Sequence, residues 1–166
     1  MNVLGCEGNE EVYLIDYLLD KGYLIFDRKD ILDRRPIHFR QPKDISPLID
    51  LLPQDTEIVF YRIGDKQNDD YDFRYFRLRE EHIKTVKVCT LRELEILVII
   101  NENLYDEYLK NKSQTMPKQF VKEYVKGYTN IKEYLFKHDL KEAIIKYKSL
   151  KKHDKGQLYL ADLLKL

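Results

Sequence analysis

The chain has 166 residues, of which 43% are hydrophobic and 35% are charged. That length accommodates one domain with a single hydrophobic core, and the composition excludes an intrinsically disordered chain. No window approaches the about 20 apolar residues that a membrane helix needs, and the N-terminus lacks the pattern of a secretion signal. We therefore expect a cytoplasmic protein with no membrane partner.

Charge is divided unevenly along the chain, although its net value is zero. Residues 1–106 contain 15 basic and 22 acidic residues, a net charge of −7, whereas residues 107–166 contain 14 lysines and 7 acidic residues, a net charge of +7. Every arginine lies before position 93. The lysine-rich half could attract a phosphate backbone diffusely, or it could complement an acidic neighbour.

The first predicted elements are a strand, a turn and a helix. Residues 2–5 form a short apolar run, and Asn9 is a suitable N-cap for an amphipathic helix that ends before Gly22. Residues 23–26 form another apolar run, for which we predict a second strand.

Strands and helices continue to alternate up to about residue 90. We predict irregular structure over residues 27–44, with a short strand at 37–40, and then a short helix that ends near Leu52. The stretch "EIVFYRIGD" has the clearest strand pattern, and residues 84–90 form another strand. This alternation favours an open α/β fold: a small, largely parallel sheet with flanking helices.

The sequence after Leu91 is helical in character. We predict one long helix or two consecutive helices, then three more punctuated by Pro117, Gly127 and Asp139, and no strand after residue 106. The chain is thus divided into an α/β domain, residues 1–106, and a lysine-rich helical extension, residues 107–166, packed on the same domain.

The stretch "GCEGNEE" places an acidic side chain between two glycines at the end of the first strand. Glu7 occupies the position where ligands bind in open α/β sheets, and Glu11, four residues on, can face the same crevice. The alternative is that Gly8 allows a tight turn, that Glu10 and Glu11 compensate the helix dipole, and that Glu7 is solvated.

A second acidic cluster follows the strand "EIVFYRIG", at Asp65, Asp69, Asp70 and Asp72. Mg²⁺ prefers a few carboxylates plus waters, and a strand-end aspartate beside a strand-end glutamate can build such a site. The alternative is an acidic surface loop.

The strand, "CEGNEE" and helix together resemble the first motif of the TOPRIM fold, particularly in OLD-type nucleases and the RloB group. Glu7, Gly8 and Glu11 match its E-G-x-x-E pattern. In that family a later strand ends in D-x-D, and the acids bind Mg²⁺ (or Mn²⁺) for phosphodiester chemistry. Asp65 aligns with one of these aspartates, but Ile63 stands where the other would be.

The resemblance covers roughly residues 1–105 and implies the roles of several side chains. It implies Glu7, Glu11 and Glu95 as catalytic residues, the last from the similarity of "TLRELEILVIINENLYDEY" to the RloB stretch after its last motif. It also implies Glu7 and Asp65 as metal ligands, together with Asp69 or Asp70.

Three functions remain open at this point. The first is a Mg²⁺-dependent phosphoryl-transfer protein, a small nuclease or nuclease-like component of a mobile-element or defence system. The second is a TOPRIM-like module without a metal site that binds a partner protein or nucleic acid, as the incomplete D-x-D suggests. The third is an unrelated α/β scaffold in which "CEG" is accidental.

Basic residues in two regions are candidates for binding nucleic acid. The stretch "DRRPIHFRQ" combines arginines that can grip phosphates with Phe39, which can stack on a base, although it could also be a charged connector. The lysine-rich helices supply the other candidates for binding phosphates. The candidates are Arg34, Arg35, Arg40, Lys118 and Lys122.

Overall fold

A computed structural model describes residues 1–65, 73–90, 93–150 and 156–166 of the chain. Its centre is a five-stranded sheet in which every pairing is parallel and the strand order is β2-β1-β3-β4-β5. The predicted α/β class with a small parallel sheet is confirmed. The strands are β1 (Asn2–Cys6), β2 (Ile37–His38), β3 (Ile58–Gly64), β4 (Ile83–Cys89) and β5 (Leu158–Tyr159).

Seven α-helices are present in the described residues, with short 3₁₀ segments between them. None of these helices is long and apolar enough to cross a bilayer. The α-helices are α1 (Asn9–Asp20), α2 (Ser46–Ile49), α3 (Glu95–Asn101), α4 (Tyr105–Asn111), α5 (Pro117–Tyr124), α6 (Ile131–Leu135) and α7 (Lys141–Leu150). The 3₁₀ segments are Arg28–Asp30, Leu32–Arg34, Pro42–Asp44, Phe73–His82 and Leu160–Leu163.

The sheet separates two hydrophobic clusters because successive side chains of a strand point to opposite faces. Leu4, Cys6 and Ile63 belong to the larger cluster, which also contains side chains of α1, α3 and α5 to α7. Val3 and Phe60 belong to the smaller cluster, which also contains Ile49 of α2 and Leu32 and Phe76 of two 3₁₀ segments. Residues from both the acidic and the lysine-rich half contribute to the larger cluster.

Helix α1 forms because its apolar residues recur at three- and four-residue spacing. Leu14, Ile15 and Leu18 are buried on one stripe against the sheet. The N-cap is Gly8, which has an extended backbone and no side-chain cap, so the prediction of Asn9 as N-cap was wrong: Asn9 is the first helical residue. Gly22, with φ of 66°, follows the helix in the left-handed region that favours glycine.

The predicted strand over residues 23–26 is not part of the sheet. Leu24 instead forms an isolated antiparallel bridge with Leu164, and the amide of Ile25 donates to the Leu163 carbonyl at 2.8 Å. The position beside β1 belongs to β2, which lies within the predicted strand at 37–40. Tyr23, Leu24 and Phe26 pack against the larger cluster, whereas Ile25 is 51% exposed. Periodicity alone cannot distinguish such an apolar run from a strand.

The prediction of no strand after residue 106 was also wrong. Strand β5 pairs in parallel with Val88 and Cys89 of β4. Without β5, the backbone groups at this end of β4 would lie at an open edge. Asp162 fixes the segment, because its carboxylate accepts a hydrogen bond from the Tyr159 amide at 2.8 Å and pairs with Lys148 of α7.

Candidate functional site

Three neighbouring strands end at the same edge of the sheet, and each is followed by a polar residue. Glu7 follows β1, Asp65 follows β3 and Thr90 follows β4. The chain passes from β1 to β2 on one side and then to β3 on the other, so the β1–β3 boundary is a topological switch point, where ligands bind in such sheets. Neighbouring strands lie only about 4.8 Å apart. The structure therefore brings the predicted acids Glu7 and Asp65 to adjacent strand ends.

The backbone and side chain of Glu7 are both held by β3. Its amide donates to the Ile63 carbonyl at 3.0 Å, which continues the β1–β3 pairing beyond the last strand residue. Its side chain lies across Gly64: a Cβ at position 64 would come within 2.7 Å of Glu7 Cγ and would collide with the carboxylate. Any side chain at position 64 would therefore force the Glu7 side chain to move from this position.

A buried arginine holds the Glu7 carboxylate. Arg62 Nε donates to Glu7 Oε1 at 2.7 Å, and the Arg62 side chain is 1% exposed, against 16% for Glu7. The parallel register puts Arg62 opposite Gly5, two residues before Glu7 on the same face of the sheet. Glu7 was predicted from the sequence as a site residue, but Arg62 and its pairing with Glu7 were not. The sequence did contain an indication of it. Arg62 lies on the same face of the strand as Ile58 and Phe60, and a charged side chain on a buried face needs a partner of opposite charge.

Glu11 approaches the same edge from α1. Its side chain folds back over Gly8, where a Cβ would collide with the carboxylate, and Thr90 Oγ1 lies 3.5 Å from its Oε1. Burial raises the pKa of Glu11, and the negative charges of Glu10, Asp65 and Glu7 raise it further. Glu11 is thus a partly desolvated carboxyl in an acidic environment, in which a proton or a cation would be stabilised.

Cys6 lies in the core at the end of β1. It is fully buried, and burial together with the charges of Glu11 and Glu7 raises the pKa of its thiol well above the usual value. Such a thiol stays protonated at neutral pH and is neither a nucleophile nor a metal ligand. Cys6 and Cys89 do not form a disulfide with each other, and Cys89 is only half-buried.

Part of the predicted metal site falls outside the described residues, namely Asp69 and Asp70, as does Asp72. Ile63, at the position where the D-x-D pattern would have its other acid, is fully buried in the larger cluster. Among the described residues, no three or more His, Cys, Asp or Glu side chains form a group that could hold a metal ion.

Glu95 is buried at the start of α3. It is 1% exposed, and its Oε1 accepts a hydrogen bond from the Tyr128 hydroxyl at 3.1 Å. Burial raises its pKa, as does the charge of Glu10, while the Tyr128 bond and Lys118 act in the opposite direction. The charge of Glu10 thus raises the pKa of both Glu11 and Glu95. Unlike Glu11, Glu95 is hydrogen-bonded to Tyr128, in the α5–α6 connection.

The raised pKa of Glu95 predicts how its charge affects stability. The folded state binds the Glu95 proton more tightly than the unfolded chain, so the contribution of this group to stability falls as pH rises from about 4.3 through its folded pKa. Glu95→Gln keeps an acceptor for Tyr128 without the charge. We expect the stability of Glu95→Gln relative to wild type to increase as pH rises, measured by urea unfolding between pH 4 and pH 8.

Glu123→Gln supplies the matched control, since Glu123 is an exposed glutamate on α5. This variant should not reproduce the trend. A Glu95→Gln profile that runs parallel to wild type at every pH would contradict the assigned environment of Glu95.

The candidate nucleic-acid residues lie on two separate elements. Arg34, Arg35 and Arg40 are exposed next to the short strand β2, while Lys118 and Lys122 lie on α5. Several have protein partners: Arg35 pairs with Asp33 at 2.7 Å, and Lys118 lies 3.8 Å from Glu10.

Phe39 does not stack on a ligand as the sequence suggested. It is 1% exposed and packs edge-on against Phe60, with ring centroids 5.2 Å apart. The neighbouring arginines could still bind phosphates, but Phe39 could not contribute a stacking contact with a base.

Comparisons with protein-family models, with curated proteins and with solved structures give no match to this chain.

Proposed function

We propose that this chain is a TOPRIM-like, Mg²⁺-dependent phosphoryl-transfer protein that acts in the cytoplasm as a small nuclease, or a nuclease-like component, of a mobile-element or defence system. The supporting observation is the position of Glu7 and Asp65 at the ends of the adjacent strands β1 and β3, with Glu11 directed to the same edge. This edge is also the switch point of the sheet.

The carboxylate oxygens at the β1–β3 edge suit Mg²⁺, which does not need to be fully surrounded by protein ligands. Mg²⁺ retains several waters and is commonly held by one or two carboxylates plus phosphate oxygens of the substrate; the described residues contain no group of three or more His, Cys, Asp or Glu side chains that could hold a metal ion. Glu7 and Asp65 would hold it, with Asp69 or Asp70 as further candidate ligands. When bound, the ion would stabilise negative charge on a phosphoryl group.

The chain's own residues would then divide the remaining tasks. Arg62 fixes the rotamer of Glu7 through one carboxylate oxygen, as outer partners of metal-binding carboxylates do. Glu11 has a raised pKa and is the side chain best suited to carry a proton at this edge. Glu95 would support the site from α3, and the basic residues would hold nucleic acid.

A non-catalytic module is the second candidate, and two observations favour it. Ile63 replaces one acid of the D-x-D pattern and lies in the core. In addition, the ion pair with Arg62 gives Glu7 a structural role that needs no metal. In this case the chain would bind a partner protein or nucleic acid.

Calorimetric titration with Mg²⁺ and Mn²⁺ distinguishes the two candidates. For a metal-dependent enzyme we expect a binding isotherm whose affinity falls at least about tenfold in Asp65→Asn and Glu7→Gln. The control is Asp55→Asn, which changes an exposed aspartate before β3, on the amino side of the sheet. The metal site is rejected if no variant at the β1–β3 edge changes the isotherm.

A further inference from the structure

A polar cleft of about 560 Å³ opens in the helical layer. It lies between the end of α3, the α5–α6 connection and the end of α6, and its volume is that of a typical small-molecule site. Within the described part of the chain, none of the residues predicted from the sequence to be catalytic, metal-binding or nucleic-acid-binding lines it. The lining residues that matter here are Glu102, Tyr124, Lys126, Tyr134, Lys137 and His138.

Two aromatic stacks end in this cleft. The Tyr124 ring stacks on Phe120 with centroids 4.2 Å apart and planes at 12°; Phe120 is fully buried, whereas Tyr124 is 49% exposed. The His138 ring stacks on Tyr134 at 4.0 Å and 9°, and the His138 side chain is 42% exposed. In each stack the core fixes the inner ring. A flat ligand could therefore extend either stack at little cost in side-chain ordering.

The charged groups of the cleft differ in their surroundings. Glu102 is occupied within the protein, because it accepts a hydrogen bond from the Tyr134 hydroxyl at 2.6 Å and lies 3.9 Å from His138 Nε2. Lys126 and Lys137 are exposed at the rim, as is Glu133 at the start of α6. The rim thus offers two ammonium groups beside two exposed rings, the combination that binds a phosphate and a base.

We propose that this cleft binds one nucleotide, with its base stacked on Tyr124 and its phosphate near Lys126 and Lys137. The nucleotide could be a free mononucleotide or one unit of a single-stranded nucleic acid, since both present the same chemistry. The volume accommodates a single unit and not a duplex. Binding here does not depend on a metal at the β1–β3 edge, so the proposal stands or fails separately from the proposed function.

The test uses a fluorescent ten-residue oligo(dT) and unlabelled thymidine 5′-monophosphate, in EDTA, with anisotropy as the readout. We expect Tyr124→Ala to weaken oligonucleotide binding roughly 5- to 160-fold, the range that corresponds to loss of one base–aromatic stack, and Tyr124→Phe to bind like wild type. Tyr13→Ala is the matched control, because Tyr13 is an exposed tyrosine on α1 outside the cleft.

The contribution of the lysines is read from the salt dependence. Removing both Lys126 and Lys137 by alanine substitution should make the slope of log K against log salt less negative by about 1.4, because each phosphate that a lysine neutralises on a single strand contributes about 0.7 to the slope. Lys110→Ala, an exposed lysine on α4 outside the cleft, should leave the slope unchanged.

The source of the nucleotide follows from competition. Monophosphate that displaces the oligonucleotide, with the same dependence on Tyr124, shows that a free nucleotide suffices; oligonucleotide binding that resists millimolar monophosphate shows that a strand is needed. The proposal is overturned if neither probe binds, or if Tyr124→Ala and the double lysine variant bind both probes as wild type does.

Discussion

Arg62→Ala is expected to lower the free energy of unfolding by about 3–5 kcal/mol, the usual cost of removing one partner of a buried ion pair. Arg62 is the largest of the fully buried side chains in the described part of the chain, and its guanidinium lies 2.7 Å from the Glu7 carboxylate. The substitution leaves that carboxylate, itself only 16% exposed, without this cation. It also removes the packed aliphatic stem of the arginine.

Arg35→Ala provides a control with the same contact distance in a different environment. Arg35 pairs with Asp33 at 2.7 Å, but its side chain is 70% exposed, so the loss should not exceed about 1 kcal/mol. Urea unfolding followed by circular dichroism gives both values. Equal losses in the two variants would contradict the structural importance of the buried pair.

Glu7→Gln and Gly64→Ala are expected to reduce Mg²⁺-dependent cleavage of DNA or RNA at least about 100-fold if the proposed nuclease function is correct. The first variant removes the charge of Glu7 and keeps its shape. The second keeps the charge but displaces the side chain, because a Cβ at position 64 would come within 2.7 Å of Glu7 Cγ. The two substitutions thus test the same Glu7 carboxylate in different ways, one through its charge and the other through its position.

Gly22→Ala is the matched glycine control. Gly22 has φ of 66° and lies beyond α1, with open space where a Cβ would be added, so alanine there should cost about 1–2 kcal/mol of stability without reducing activity per folded molecule. Activity is measured as cleavage of labelled single- and double-stranded substrates with Mg²⁺ or Mn²⁺. Cleavage that persists unchanged in Glu7→Gln would rule out Glu7 as a catalytic residue.

The parts of the fold predicted correctly from the sequence are those specified by local patterns. The strand over Ile58–Gly64 begins with the apolar run Ile-Val-Phe-Tyr, and α1 has an apolar stripe. A strand followed at once by a turn and a helix also places its last side chain at the carboxyl edge of a sheet. For this reason the location of Glu7 and Asp65 could be predicted without knowledge of the strand order.

The parts that could not be predicted depend on contacts between distant segments. Strand β5 has only two residues and exists because β4 offers an edge about 70 residues earlier in the chain. The Glu7–Arg62 pair depends on the β1–β3 register, in which Gly5 lies opposite Arg62. A short stretch of sequence does not determine which strand pairs with which, or in what register. Both determine which charged side chains come into contact.

Glu11 and Glu95 illustrate the same limit for side-chain chemistry. The sequence places both at the start of helices, where the dipole would stabilise their charged forms. The structure instead buries them near other acids, which raises their pKa. Burial is a property of the whole fold, so the direction of these shifts could not be obtained from helix position.

The contact between Glu7 and Arg62 also has a consequence for the evolution of the chain. A residue that neutralises a buried cation is maintained by selection for folding, whether or not the chain retains an activity. If the proposed metal chemistry is correct, descendants that lost it would therefore keep Glu7 while exposed Asp65 changed freely. Among relatives of this chain, the residue after β3 should distinguish active members from inactive ones better than the glutamate of the "CEG" motif.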